Sequence, residues 1–471
     1  MERFIIEELR KWKNSKRRKP LILRGARQVG KTWILEKFGK EFEDGFVKID
    51  FFKEPDYSQF FEKSKDVERI IQNLSFAIGK KITKNTLIIL DEIQECPHAL
   101  NTLKYFCEDE PEYYVVSAGS LLGITLSEGF PVGKVDFLDM GPMTFEEFLV
   151  ACGENNLYDY LKNIDSIDTI PSIFHDRFIE LLKTYFVVGG MPEAVKAWAI
   201  DRDPKAVDNI LLSILDAYEA DFGKHAPESE VPKIRLIWRS LPSQLAKENK
   251  KFLYSVVKTG ARAREYEDAL NWLKNADLIK KVHRITKPEL PIVSYEDLSA
   301  FKIYMLDVGL LRRHSRLAST AFMEENRLFT EFKGSLTENF VIESLVRQDE
   351  NIPCYWSDET HEVDFVIQKN NDIYPVEVKA GINVQAASLK KYLLNYDDTK
   401  LAIRFSLKNL SYDGKILNVP LYLIDELDKL IKLAQKLTDK QFDALIEKGL
   451  KDYQEGRVYT PEEVFNDLDK I

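Results

Sequence analysis

Several things are scarce or missing in this 471-residue sequence. It has no run of about eighteen apolar residues, so no helix is expected to span a membrane. Its four cysteines, Cys96, Cys107, Cys152 and Cys354, are scattered without metal-ligand spacing. That argues against a disulfide framework and a zinc site, and it fits a reducing cytoplasm. Positive charge is in deficit, with 67 Lys and Arg against 77 Asp and Glu, so net charge alone does not favour nucleic acid. Internal repeats and low-complexity tracts are absent. The opening MERFIIEELRKWKNSKRRK reads as an amphipathic helix followed by a basic cluster, without the apolar centre and small-residue cleavage site of a signal peptide.

What is present is ordinary globular material, 44% hydrophobic, in a chain long enough for roughly three or four cores. Strand candidates at Pro20–Arg24, Phe46–Phe51, Thr86–Asp91, Tyr113–Ser117 and Lys134–Asp139 alternate with helical stretches. That alternation predicts an α/β fold, a parallel sheet with helices on both faces. From Pro142 to about Ala226 the pattern turns helical. The stretch Val231–Pro288 carries fourteen basic residues against five acids, a local surplus of nine inside an acidic chain. Such a block is a footprint for a polyanion, or else a solvated face or an interface.

Gly25-Ala26-Arg27-Gln28-Val29-Gly30-Lys31-Thr32 follows the strand Pro-Leu-Ile-Leu-Arg and opens a helix. This is the phosphate-cradling loop G-x-x-x-x-G-K-T in the context it requires. Its glycines let backbone N–H groups close on phosphate oxygens, and the helix N-terminus adds positive potential. Lys31 is expected to reach the β- and γ-phosphates of ATP, and Thr32 to ligate Mg²⁺. Thr86–Glu92 reads as a buried strand ending in two carboxylates. Asp91 is expected to hold Mg²⁺ and Glu92 to activate the attacking water. At the end of the next strand, Ser117 or Ser120 is a candidate γ-phosphate sensor; a loop-capping serine is the alternative.

A second constellation lies further on. Glu362–Ile367 and Ile373–Lys379 read as strands joined by a hairpin at Lys369-Asn370-Asn371-Asp372. Period two places Glu377 and Lys379 on one face, with Asp364 facing them from the neighbouring strand and Glu338 offering an oxygen from the preceding helix. Two carboxylates and a lysine can hold a second divalent metal and direct a water at phosphate. The Asp…Glu-x-Lys spacing resembles a PD-(D/E)xK nuclease core.

Beyond these motifs the chain has Leu-Asp-Glu-Ile-Gln at 90–94, Pro-Met-Thr-Phe-Glu-Glu-Phe at 142–148, Gly-Gly-Met-Pro-Glu at 189–193, Lys258-Thr-Gly-Ala-Arg262-Ala-Arg264-Glu-Tyr, and Phe-Lys-Ile-Tyr-Met-Leu-Asp-Val-Gly-Leu from 301. Over roughly residues 1 to 425 it resembles prokaryotic AAA-type ATPases with a C-terminal domain of unknown function, DUF4143. The resemblance implies a winged-helix-like module around 227–320, in agreement with the basic block. It also implies Gly-Arg before the fifth core strand, where this chain has Gly133-Lys134; a lysine lacks the bidentate fork of an arginine. The charge-sensing role is therefore left unassigned. The stretch Glu455–Val464 is similar to antitoxin tails that bind a partner protein, with a plain helical tail as the alternative.

The expected organisation is an AAA-type P-loop core at 1–142, a helical lid at 143–226, a winged-helix-like module at 227–325, a nuclease-like α/β domain at 326–425 and a helical tail at 426–471. Lys258, Arg262 and Arg264 are the candidate nucleic-acid contacts. The expected activity is Mg-ATP hydrolysis coupled to DNA handling, with no membrane partner and a homo-oligomer left open. The alternative is an ATP-controlled switch whose C-terminal region binds protein or nucleic acid without cutting it.

Overall fold

The computed structural model describes residues 1–120, 133–246, 251–319, 330–349, 351–381 and 387–438, with only the backbone described at 330–332. The chain forms two compact units. Rather than following the five consecutive spans expected from the sequence, each unit draws on three separate stretches. The first takes Met1–Gly153, Tyr185–Lys281 and Ile303–Glu325; the second takes Glu154–Thr184, Val282–Lys302 and Asn326–Ile471.

The first unit is built on five parallel strands: β1 (Leu21–Arg24), β2 (Phe46–Asp50), β3 (Leu87–Asp91), β4 (Tyr114–Ala118) and β5 (Asp136–Asp139). Their order is β2-β3-β4-β1-β5. Continuous apolar runs such as Leu87-Ile88-Ile89-Leu90 are what a sheet covered on both faces demands, and these four are almost fully buried. Each such side chain contributes about 1.5–3 kcal/mol when removed from water. In this order β4 separates the strand feeding the glycine-rich loop from the strand ending in the acid pair. The carboxyl ends of β1, β3 and β4 therefore converge, the usual ligand side of a parallel sheet.

The helices of this unit start where the chain supplies caps. The Asp66 side chain accepts from Arg69 N–H to open Val67–Ile78. Thr144 and Glu147 form a reciprocal capping box on Phe145–Ala151. Two of the motifs at 189–193 and 306–310 meet here. Asp307, fully buried, caps Val308–His314 by accepting from Leu310 N–H at 2.8 Å and also accepts from Gly190 N–H at 2.6 Å. The glycines allow this approach: a Cβ on Gly309 would lie 2.6 Å from Gly189 Cα.

The second unit holds a mixed sheet of β6 (Ile279–Ile285), β7 (Glu296–Met305), β8 (Cys354–Ser357), β9 (Glu362–Lys369), β10 (Asp372–Val378), β11 (Ala402–Ser406), β12 (Ser411–Tyr412) and β13 (Ile416–Pro420). The order is β12-β13-β11-β10-β9-β8-β6-β7. β8, β9 and β10 form an antiparallel meander, and β11 runs parallel to β10. The β9–β10 turn has Lys369 opposite Asp372 and a left-handed Asn370, a conformation asparagine tolerates. β6, expected in a separate module, pairs with β8 and so joins the same sheet.

At Thr438 the chain is still helical, the threonine hydroxyl donating to Ala434 C=O at 3.1 Å. The rest of the tail, including Glu455–Val464, lies outside the described residues. Among the described residues no helix is long and apolar enough to cross a membrane.

Candidate functional site

The loop after β1 is shaped by two glycines with positive φ. Gly25 sits at φ +143°, where a Cβ would stand 2.1 Å from Met140 O, so no side chain fits. Gly30 caps the helix Lys31–Gly39 at φ +94°. Between them Ala26, Gln28 and Val29 complete the turn, with Gln28 left-handed. Lys31 is buried, and its ammonium donates to two loop carbonyls, Gly25 O at 2.8 Å and Ala26 O at 2.7 Å. Burial pulls its pKa down to about 8, against the upward pull of Glu92 and Asp91. A buried ammonium held by neutral carbonyl oxygens keeps its charge unmet, which suits a polyphosphate.

The hydroxyl of Thr32 donates to Asp91 Oδ2 at 2.8 Å. Burial raises the Asp91 pKa, opposed by that hydrogen bond. A hydroxyl and a carboxylate in contact beside the loop are the oxygen donors a magnesium ion takes. The donor set thus fits Mg-ATP. Glu92 follows directly, at φ +50°, and its carboxylate accepts from the Gln94 amide. The two serines part company. Ser117 is fully buried and its hydroxyl donates to Leu21 O at 3.4 Å, inside the sheet. Ser120 accepts from Arg27 Nε at 2.9 Å, beside the loop. Lys134, at the position of the resemblance's arginine, pairs with Glu108 at 2.8 Å on the surface.

Two sets of residues around the loop were not found from the sequence. Arg3 is buried and locks the loop from below, donating to Val29 O and Gly141 O at 2.7 Å each and to Glu147 at 3.1 Å. The Thr144-x-x-Glu147 cap was readable, but nothing in the sequence links Glu147 to Arg3. The second set, Tyr218, Asp221 and His225 on the helix Pro204–His225, holds Arg27.

In the second unit, the C-terminal constellation does not form the metal site expected from its spacing. Among the described residues no three His, Cys, Asp or Glu side chains come together in a way that could hold a metal. Asp364 Oδ2 accepts from the Val378 N–H at 2.7 Å, and Glu377 pairs with Lys379 at 2.5 Å. Burial raises the Glu377 pKa while Lys379 opposes it. Lys302 supplies the missing charge. Its side chain is fully buried, sits 2.5 Å from Glu362 and lies 4.8 Å from the Tyr355 ring. Burial alone would lower its pKa, but Glu362, Glu338 and Asp364 together hold it well above the ordinary lysine value. Ammonium groups stand where a divalent cation was expected. The sequence signal was a lone lysine in the apolar run Ala-Phe-Lys-Ile-Tyr-Met, a residue that must find partners when buried.

Of the basic block, Lys233, Arg239, Lys280 and Arg284 are taken up by Glu230, Glu219, Asp277 and Asp297. Lys247 and Lys250 lie outside the described residues. Lys258, Arg262 and Arg264 are exposed around the start of the helix Ala263–Asn275.

Comparison with known families matches an AAA domain at residues 17–149, a domain of unknown function, DUF8612, at 179–321, and a domain of unknown function, DUF4143, at 333–424. No match was found among the curated proteins. Among solved structures, the chain is similar to the Walker-type ATPase PABY2304 of Pyrococcus abyssi at 15% identity, over 65% of this chain and 94% of that one, with a TM-score of 0.41. The RuvB Holliday junction branch migration motor of Thermotoga maritima matches at 10% identity over 59% and 89%, with a TM-score of 0.29. The PH0952 signal transduction ATPase of Pyrococcus horikoshii, which carries a tetratricopeptide repeat sensor, matches at 14% identity over 72% and 45%, with a TM-score of 0.24.

Proposed function

We propose that this chain, an AAA-type ATPase with a C-terminal DUF4143 domain, hydrolyses Mg-ATP as a conformational switch whose C-terminal region binds nucleic acid without cutting it. The observation that carries the ATPase part is the placing of Lys31, the Thr32–Asp91 pair and Glu92 at the carboxyl ends of β1 and β3. Lys31 and the N–H groups from Gly25 to Thr32 would hold the phosphates. Thr32 and Asp91 would hold magnesium, which supplies charge neutralisation at the phosphates when bound. Glu92 would accept the proton of the attacking water.

Lys31→Ala is expected to abolish tight ATP binding, measured by calorimetry. Glu92→Gln is expected to keep binding and slow turnover by roughly 10²–10⁴-fold, since an amide cannot take the proton. Wild-type turnover in Glu92→Gln would remove the assigned base.

The preference for binding over cutting comes from Lys302 and Lys379, which neutralise the C-terminal carboxylates from within the protein. A helix, a three-stranded antiparallel meander, a further helix and a parallel strand support a nuclease-like fold for this region. The helices Val231–Leu245, Tyr254–Val257 and Ala263–Asn275 support the helical part of the winged-helix-like reading of 227–325, while β6 and β7 belong to the sheet of the second unit. The exposed Lys258, Arg262 and Arg264 are the proposed phosphate contacts. Replacing all three with alanine is expected to shallow the salt dependence of DNA binding by up to ~3 units of slope. An unchanged slope would make the block a solvated face.

A further inference from the structure

Arg27 lies in the phosphate loop, yet its guanidinium is held by another part of the unit. Nε donates to Ser120 at the end of β4, at 2.9 Å. Nη1 pairs with Asp221, and Nη2 lies 3.4 Å from His225 Nε2. Tyr218 on the same helix donates its hydroxyl to the Arg27 carbonyl at 2.8 Å. Residues 218, 221 and 225 stand three and four apart, so one face of Pro204–His225 grips both the main chain and the side chain of this one loop residue. Burial and the neighbouring guanidinium lower the His225 pKa, which favours the neutral imidazole, the form with a lone pair for Arg27.

The chemistry of this grip is exchangeable. A guanidinium binds a carboxylate and a phosphate with the same bidentate geometry, and a terminal phosphate carries the greater charge. The Arg27 side chain is about a quarter exposed, with room to change partner. Lys134, the other candidate for charge sensing, pairs with Glu108 on the surface at 2.8 Å.

We propose that Arg27 reads the terminal phosphate of ATP by exchanging Asp221 for it, which releases the end of the helix Pro204–His225 when ATP, but not ADP, is bound. This rests on the reading of the loop as an ATP site. Arg27 thus discriminates between nucleotides, and Asp221 is the positioning residue that makes the discrimination visible to the helix.

The test uses the full chain carrying Glu92→Gln, so that ATP persists. Calorimetry gives ATP and ADP affinities, and amide hydrogen exchange follows residues 204–225 without nucleotide, with ADP and with ATP. ATP is expected to speed exchange near 218–225, whereas ADP leaves it unchanged. Arg27→Ala is expected to weaken ATP roughly ten- to a hundredfold, the size of one charge-assisted contact, with ADP affinity little changed. Asp221→Asn keeps the shape, removes the competitor and is expected to tighten ATP while leaving ADP alone. Equal weakening of both nucleotides by Arg27→Ala, or ATP affinity and helix exchange that ignore Asp221→Asn, would overturn the latch. If the parent chain binds both nucleotides and Lys31→Ala loses both, such a result strikes the latch alone. Failure of the parent to bind either nucleotide overturns the ATP reading, and the latch with it.

Discussion

The two charged centres of this protein treat burial in opposite ways. At the phosphate loop a buried ammonium, Lys31, is bonded only to the neutral carbonyls of Gly25 and Ala26. In the C-terminal region buried charges are met by opposite ones, Lys302 by the part-buried Glu362 and Glu377 by Lys379. The first leaves a charge without a counter-ion in contact and depresses its pKa; the second compensates charge locally. A ligand site keeps its electrostatic demand open, whereas a cluster that has met its own demand has little to gain from an ion. Motif spacing alone did not reveal this difference, since both centres looked like magnesium sites in the sequence.

The sharpest way to break the comparison is at Lys302. Lys302→Ala would take from Glu362 its buried cation and remove a positive charge that acts on Glu338 and Asp364. The loss is expected to cost about 3 kcal/mol of stability, the scale of a buried pair broken from one side, read by denaturant unfolding of the full chain. The wild-type melting temperature is expected to be indifferent to Mn²⁺. A rise with Mn²⁺ that persists in Asp91→Asn would show that the carboxylates can rearrange around a metal after all.

The open centre is tested by pH. Nucleotide phosphate needs the charged form of Lys31, and its pKa in the free protein is about 8. ATP affinity is expected to be fully present below pH 8 and to fall by up to about tenfold per unit above it. The stability of the nucleotide-free protein should move the other way. Between about 8 and the ordinary lysine value the unfolded chain binds the extra proton, so Lys31 contributes stability that increases as pH rises. Affinity and stability rising together across this window would contradict the buried, unpaired lysine.

The smallest effect is expected at Lys134. Its pair with Glu108 is exposed, and solvent screens such pairs. Lys134→Ala is expected to leave ATP turnover unchanged in a steady-state assay. A large loss of turnover would return the charge-sensing role to this position and weaken the case for Arg27.

Much of the first unit was legible beforehand. The five strands lie within two residues of their expected ends, because buried parallel strands are short apolar runs between glycines and polar turns. The phosphate loop was legible because it is local: eight consecutive residues set its backbone, and two glycines are the residues that tolerate it. The hairpin at Asn370 was legible for the same reason. The order of the strands was not, nor was the joining of β6 to β8, because pairing between distant segments leaves no mark in either segment.

What the sequence determined by itself was therefore whatever a short stretch decides: strand positions, caps, the glycine turns and the residue types at both centres. Tertiary structure alone decided which charges meet. It placed Arg3 under the loop, Asp221 and His225 on Arg27, and Lys302 among the carboxylates. The physical reason is that an ion's behaviour depends on burial and on neighbours within a few ångströms, and those neighbours come from segments separated by up to about two hundred residues of chain.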